Sequence, residues 1–376
     1  MNKKAFVYGV SVAGENFTDR VRETRRLKMN FENGQNVILL SPRRMGKTSL
    51  VKKVADEVNS SEVKVVYMDI YDCRNEKEFY HKFAQEVLRS TASRSDQLLD
   101  YVKQLLANLA PKVTFSPSPD ADFSFSLGLN LNEVNDPTEL LNLPERIAEK
   151  TGKRIVVCID EFQQIGEMPD SITIQKRLRG VWQLQQNVSY CLFGSKKHML
   201  LRLFQDKRRP FYQFGDTIEL GPIASEDWVP FICQKFEQRD IAITPEQAAR
   251  ICTSVKNYSS YVQQMAWNVM LCCEDRVTDA DIEEAMNETI RQNVTLYMEQ
   301  IKDLSSYQMN FLRAICRGIH SGFTAKDVLD RFSLGAKSNV NRLHTSLIEK
   351  ELIESREGKL YIMDPVFEVW FGRNYV

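Results

Sequence analysis

The sequence predicts an α/β fold: a parallel sheet covered by helices, with a β-hairpin inserted in it and two helix-rich blocks behind it. Three observations carry this. Residues 36–54, NVILLSPRRMGKTSLVKKV, run from a short apolar segment (Val37 to Leu40) through a turn-forming loop (Ser41 to Gly46) into an amphipathic helix opened by Lys47, Thr48 and Ser49. A second apolar, β-branched run, Ile155 to Ile159, ends in Asp160-Glu161, and such runs read as strands buried on both faces of a parallel sheet. From Pro222 onward the composition turns helical, with one short two-stranded segment near the end.

Taken in order, Phe17-Thr18-Asp19-Arg20 stands just ahead of a helix with one arginine-rich face. Two readings stay open: an aromatic-x-x-Arg edge of an adenine pocket, or a plain helix start capped by Thr18 or Asp19. Residues 41–48 then follow the phosphate-binding pattern G-x-x-x-x-G-K-[ST]. In such a loop, successive backbone N–H groups and the first turn of the helix face an anion. Ser41, Pro42, Arg43, Arg44, Met45, Gly46, Lys47, Thr48 and Ser49 are therefore the candidate ATP-phosphate cradle. Gly46 admits a phosphate where a side chain would obstruct, Lys47 supplies a point charge to the β and γ phosphates, and the Thr48 hydroxyl can ligate Mg2+. Ser41 stands where glycine is expected. If that position requires a positive φ, serine costs on the order of 1 kcal/mol more than glycine.

Val63 to Ile70 read as the second strand, with Asp69 ending it beside the Asp160 strand, and a helix is expected from about Glu76 to Leu88. Within 91–135, a helical piece (SDQLLDYVKQLLANLA) precedes an alternating stretch, KVTFSPSPDADFSFSLGLNLN, that reads as an inserted β-hairpin with one apolar face. At the C-terminal end of its strand, where parallel sheets place ligands, Asp160 would hold Mg2+ through water. Glu161 would orient and deprotonate the attacking water. A helix over about 171–187 leads into a buried strand, Val188 to Phe193, ending at Gly194-Ser195. Beyond it lies the basic cluster Lys207-Arg208-Arg209 and a last strand at Thr217 to Leu220. Arg208 or Arg209 is a candidate finger for a neighbouring subunit's γ-phosphate; a solvated basic turn accounts for the same residues.

Composition bounds the rest. The 376 residues suit two or three domains. Lys+Arg and Asp+Glu both number 50, so no global basic field points to nucleic acid and any such contact must be local. No segment reaches the roughly 18 apolar residues of a membrane span, and MNKKAFVYGV lacks a signal peptide's apolar core. A cytoplasmic protein without a membrane partner is expected. Eight cysteines without C-x-x-C spacing read as reduced core residues, and the four histidines show no zinc-protease spacing.

GQNVILLSPRRMGKTSL, IVVCIDEFQQI, LFGSKKHML and KRRPFYQFGDTIELGPI together resemble the archaeal-type ATPase family of P-loop proteins, on the AAA+/STAND side of the additional-strand ATPases. The resemblance covers nearly the whole chain and implies a P-loop NTPase core, ATP chemistry and a two-state switch. Phe17 to Arg20 look like the family's adenine-side element. Residues 41–48 match its phosphate loop except at Ser41, and Asp160 and Glu161 match its second acidic motif. Ser195 falls at its γ-phosphate sensor, where a helix N-cap is the ordinary alternative.

Four helices are expected next as a lid over the nucleotide: the first capped by Ser225, the second by Thr244 with Pro245 at its first position, the third from Tyr258 to Glu274, the fourth capped by Thr278. The stretch Asn257 to Tyr261 lacks both the sensor arginine of AAA+ relatives and the Gly-x-Pro of STAND proteins. From Ser305 the pattern reads as a winged-helix domain: a helix, a second capped by Thr324, a third after Gly335, and a wing turning at Glu357-Gly358. Lys337, Asn339, Asn341 and Arg342 near the start of the third helix are the candidate DNA contacts; docking to protein is the alternative use of such a module. The tail from Asp364 to Phe371 resembles a family signature and is expected to pack back on the fold.

The expected division is 1–222 for the P-loop core with its 91–135 insertion, 223–302 for the helical lid and 303–376 for the winged helix. The expected function is a Mg2+-dependent, ATP-binding and ATP-hydrolysing switch acting on double-stranded DNA through the winged helix. The alternative is a nucleotide-bound regulatory switch with little turnover that works by protein interaction; under either reading a homo-oligomer or a protein partner is a candidate. A kinase is disfavoured, because the adjacent Asp160-Glu161 pair suits attack by water.

Overall fold

The computed structural model describes residues 5–91, 101, 104, 114–117, 125–128 and 138–376. Two compact units make up the chain. One holds Arg20–Arg43 and Lys47–Gly221; the other holds the residues up to Asp19, Arg44–Gly46 and Pro222–Val376.

The first unit carries, in order, α1 (Val21–Glu32), β1 (Val37–Leu40), α2 (Lys47–Val58), β2 (Val63–Asp69), α3 (Glu76–Thr91), β3 (Thr114–Pro117) and β4 (Phe125–Gly128). After these come α4 (Thr138–Leu141), α5 (Leu143–Thr151), β5 (Arg154–Asp160), α6 (Gln164–Glu167), α7 (Ser171–Trp182), β6 (Val188–Phe193), α8 (Lys197–Gln205) and β7 (Asp216–Glu219). Five strands form one parallel sheet in the order β2-β5-β6-β1-β7. Every residue of β1 and β6 is buried, and in β5 only Arg154 is exposed. This is the burial expected of apolar strands covered on both faces. β2 pairs with β5, so Asp69 lies on the neighbouring strand as expected, and the register sets it beside Asp160. The inserted strands β3 and β4 pair antiparallel, which agrees with the hairpin; its turn and most of the helical piece before it lie outside the described residues.

Asn36 organises one end of the sheet. Its side-chain oxygen accepts the Tyr190 N–H of β6 at 2.9 Å, and its carbonyl accepts the Asp216 N–H of β7 at 2.8 Å. A Cβ at Gly215 would stand 2.4 Å from that carbonyl oxygen, so the chain can pass there only as glycine. On one face Trp182 stacks on Tyr190 with centroids 4.0 Å apart, among Phe162, Phe204, Phe211 and Phe214. The α7 helix stops at Trp182, short of the expected 187, and turns cover the interval to β6.

The second unit is built from α9 (Ser225–Glu237), α10 (Pro245–Ser254), α11 (Ser259–Cys272), α12 (Asp279–Ile301), α13 (Ser306–Cys316), α14 (Lys326–Arg331), α15 (Lys337–Glu349), β8 (Ile353–Arg356), β9 (Lys359–Ile362) and α16 (Pro365–Tyr375). Thr244 and Thr278 close capping boxes with Gln247 and Asp281, as their positions predict, and Ser305 does the same with Gln308. Two other expected caps do not form. Ser225 lies inside the first turn and donates its hydroxyl to Asn257 at 3.1 Å, while α14 begins one residue late, leaving Ala325 as the N-cap in place of Thr324. The wing turns through Glu357 and Gly358, both at positive φ (51° and 76°), as a two-residue hairpin requires.

One apolar core runs through this unit, from Trp228 and Ile232 through Tyr261, Met265 and Tyr297 to Phe311, Leu347, Trp370 and Phe371. The C-terminal helix α16 is thus packed back, as expected, with Asp364 capping it through the Val366 and Phe367 N–H groups. All eight cysteines are free; Cys272 is exposed, so it is not the core residue its composition suggested. Among the described residues, no helix is long and apolar enough to cross a membrane.

Candidate nucleotide-binding site

Three chain segments leave the C-terminal ends of adjacent strands: the loop after β1, Asp160-Glu161 after β5, and Gly194-Ser195 after β6, which lies between the other two. Parallel sheets bind ligands at this edge.

The loop after β1 reaches the left-handed region at Arg44 (φ 67°) and Gly46 (φ 84°), and Ser41 is not among the positive-φ positions. The glycine expected at the first position is therefore not required by the backbone here, and the penalty attached to Ser41 does not arise. Ser41 is buried, and its hydroxyl donates to the Pro42 carbonyl at 2.9 Å. The strained position is Arg44. Its carbonyl accepts the Ser260 N–H at 3.0 Å and its guanidinium lies 4.3 Å from the Tyr261 ring centroid, a cation–π contact that helps hold this conformation. Met45 is buried in the core of the C-terminal unit, while Arg43 and Gly46 are exposed. The Lys47 ammonium, largely buried, donates to the Pro42 carbonyl at 3.1 Å. Ser49 is buried on α2.

Asp160 is buried at the end of β5, and one oxygen of it, Oδ2, accepts two hydroxyls: Thr48 at 2.9 Å and Tyr67 at 2.8 Å. Burial pushes the Asp160 carboxyl above its ordinary value, and these two hydrogen bonds oppose the rise. Burial, then the neighbouring Asp160 charge, hold the Tyr67 hydroxyl well above its ordinary value. It stays a donor. A hydroxyl and a carboxylate side by side are hard oxygen donors of the kind Mg2+ takes from proteins, substrate phosphates and water completing its shell. The residues present fit that ion.

Glu161 adopts φ 57°, a left-handed turn that ends the strand. Its Oε2 accepts the Ser195 hydroxyl at 2.8 Å and the side-chain amide of Gln163. Gly194 makes this approach feasible, since a Cβ there would stand 1.9 Å from the Gln163 side-chain oxygen.

Residues 17–238, more than half of the chain, match the family described as "ATPase domain predominantly from Archaea". The chain belongs to that family. A second family, described as a probable winged helix domain, matches residues 295–373. Among solved structures, the chain is similar to a Walker-type ATPase of Pyrococcus abyssi (TM-score 0.71, 18% identity, covering 98% of this chain and 100% of that one). It is also similar to the ORC2 protein of Aeropyrum pernix, solved as ADPNP–ADP complexes (TM-score 0.57, 14% identity, 96% of each chain) and in an ADP form (TM-score 0.57, 14% identity, 98% and 97%). At these identities the likeness is one of fold. No curated protein matches the sequence.

The other candidate residues of this family member are placed as follows. Arg20 is buried and pairs with Glu23 at 3.2 Å, while Phe17 is half-buried. Neither Thr18 nor Asp19 caps α1: Arg20 occupies the N-cap with φ 66°, and no side chain caps it, so the plain-cap reading falls. Arg208 turns back on its own loop, donating Nε and Nη2 to Asp206 at 3.0 Å each from a side chain 89% exposed. Arg209 is half-buried. On α15, Lys337, Asn341 and Arg342 are exposed, whereas Asn339 donates to the Leu334 carbonyl at 3.0 Å and accepts from Arg342 at 3.0 Å. Asn339 thus serves the start of the helix. Tyr67 and Gln163 are the site residues that sequence reasoning missed.

Proposed function

We propose that the chain binds ATP on residues 41–49 and hydrolyses it with Mg2+, and that its nucleotide state is read out through the winged helix on double-stranded DNA. The carrying observation is the 2.9 Å contact between the Thr48 hydroxyl and Asp160, with Glu161 next in the chain and tied to Ser195. Four side chains whose roles are complementary meet at one sheet edge. The ORC2 protein that shares this fold holds ADPNP and ADP, which supports an adenine nucleotide here. Lys47 and the loop amides would hold the phosphates, and Phe17 and Arg20 would edge the adenine. Thr48 and Asp160 would hold Mg2+, which when bound neutralises charge on the phosphate oxygens. Glu161 takes the proton of the attacking water and orients its oxygen toward the γ-phosphorus. Ser195, whose hydroxyl donates to Glu161 Oε2, would stand beside the γ-phosphate as its sensor, and Arg208 and Arg209 remain the candidates for a finger acting across subunits.

The proposed division is 1–222 for the core, 223–302 for the lid and 303–376 for the winged helix. The exposed face of α15, with Lys337, Asn341 and Arg342 and no acid before Glu349, supports DNA as the target. Nucleotide titration tests the site: Lys47→Ala should lose ATP binding, and Glu161→Gln should keep it. Lys47→Ala protein that binds ATP as tightly as wild type would remove the loop from the site.

A further inference from the structure

Next to the proposed base stands a buried amide with no part in the roles above. Gln163 is 1% exposed, and its Nε2 donates to Oε2 of Glu161, the same oxygen that receives the Ser195 hydroxyl at 2.8 Å. Neither donor is on Oε1. Two donors on one oxygen fix the plane of the carboxylate and leave the other oxygen as the one that can take a proton from water.

The backbone is shaped to bring these groups together. Glu161 turns through the left-handed region (φ 57°), the Phe162 N–H bonds the Phe193 carbonyl at 2.9 Å, and the chain then enters α6 at Gln164. Gly194 follows Phe193 directly. Its missing Cβ is the space the Gln163 amide uses: a side chain there would meet Gln163 Oε1 at 1.9 Å and the Glu161 Cα at 3.2 Å. A conformation that ordinary residues avoid, a glycine and a buried amide therefore converge on one carboxylate.

The amide is also expensive where it sits. Gln163 Oε1 is buried with no hydrogen-bond partner, and a buried acceptor without a donor lowers stability. An apolar side chain of the same length would fill the position without that cost. Reversing the amide would aim its oxygen at the carboxylate, so charge sets its orientation. The contact that accounts for an amide here is its N–H on Glu161.

We propose that Gln163 is a positioning residue for Glu161, holding its carboxylate in the orientation that receives the proton of the attacking water; this rests on Glu161 being the general base. The test compares wild type, Glu161→Gln, Gln163→Leu and Gln163→Met for thermal midpoint, ATP affinity and steady-state hydrolysis. Either Gln163 variant should keep or raise the midpoint and leave ATP affinity and KM within about twofold, while kcat falls about ten- to a hundredfold. That pattern marks an interaction made only in the transition state. Wild-type kcat in the folded Gln163 variants beside an inactive Glu161→Gln would overturn the positioning role and leave the base in place. Loss of ATP affinity in step with kcat would overturn it too, as the mark of a structural residue. Wild-type turnover that is absent, or equal in Glu161→Gln, would overturn both assignments.

Discussion

Asp160 carries two hydroxyl donors on one oxygen, and the two differ in how visible they are from sequence. Thr48 is set by the loop-to-helix spacing, because a hydroxyl that follows the lysine at the start of α2 faces the phosphate site in any such loop. Tyr67 reaches Asp160 only because β2 pairs with β5 in the register that sets Asp69 beside Asp160, and register is not written in an apolar run. Tyr67→Phe should cost about 1.5–3 kcal/mol, the range for hydrogen bonds to charged groups, measured by denaturant unfolding. Gly194→Ala should cost about 1–3 kcal/mol through overpacking, with hydrolysis falling further than ATP binding, because the displaced atoms are those of Gln163 and Glu161. Ser41 shows the opposite lesson. The motif asks for glycine there, but the loop spends its left-handed turns at Arg44 and Gly46, so a residue can depart from a pattern without disturbing the geometry behind it.

Among the elements, the buried strands and the helix starts with reciprocal caps were legible, since apolar runs and paired cap residues each have a local physical cause. Thr244→Ala, Thr278→Ala and Ser305→Ala should each lose about 1 kcal/mol in thermal or denaturant unfolding. Ser225→Ala should change stability by less than about 0.5 kcal/mol, because its hydroxyl meets Asn257 and no helix N–H. The sequence alone does not separate these positions. Thr324 has an acid three residues on, as Thr278 does, yet α14 starts one residue too late for it to cap. Packing decides that last residue.

At the scale of the molecule, the lid helices and the winged helix share one core. Tyr297 of α12 meets Phe367 and Trp370 of α16 with ring centroids 5.4 Å apart in each pair, and Arg356 of the wing donates to the Tyr258 hydroxyl at 2.7 Å. A fragment beginning at residue 303 should therefore expose apolar surface and unfold more readily than one beginning at 222, as circular dichroism and proteolysis would show. That continuity escaped the sequence, where capped helices succeed one another without marking which of them share a core. For the winged helix, DNA affinity should fall with added salt, and Lys337→Ala with Arg342→Ala should lower both the affinity and its salt slope. Asn339→Ala should instead act on the start of α15, where its side chain is engaged. DNA binding indifferent to the basic pair and to salt would remove α15 as the contact.

Phosphate release from ATP under single-turnover conditions in magnesium buffer, by wild type and by Glu161→Gln protein each saturated with ATP, tests the central claim most directly. Hydrolysis by wild type, abolished in the variant and on chelating the metal, is the result predicted. Equal rates in the two proteins would contradict it, and would take Glu161 out of the reaction.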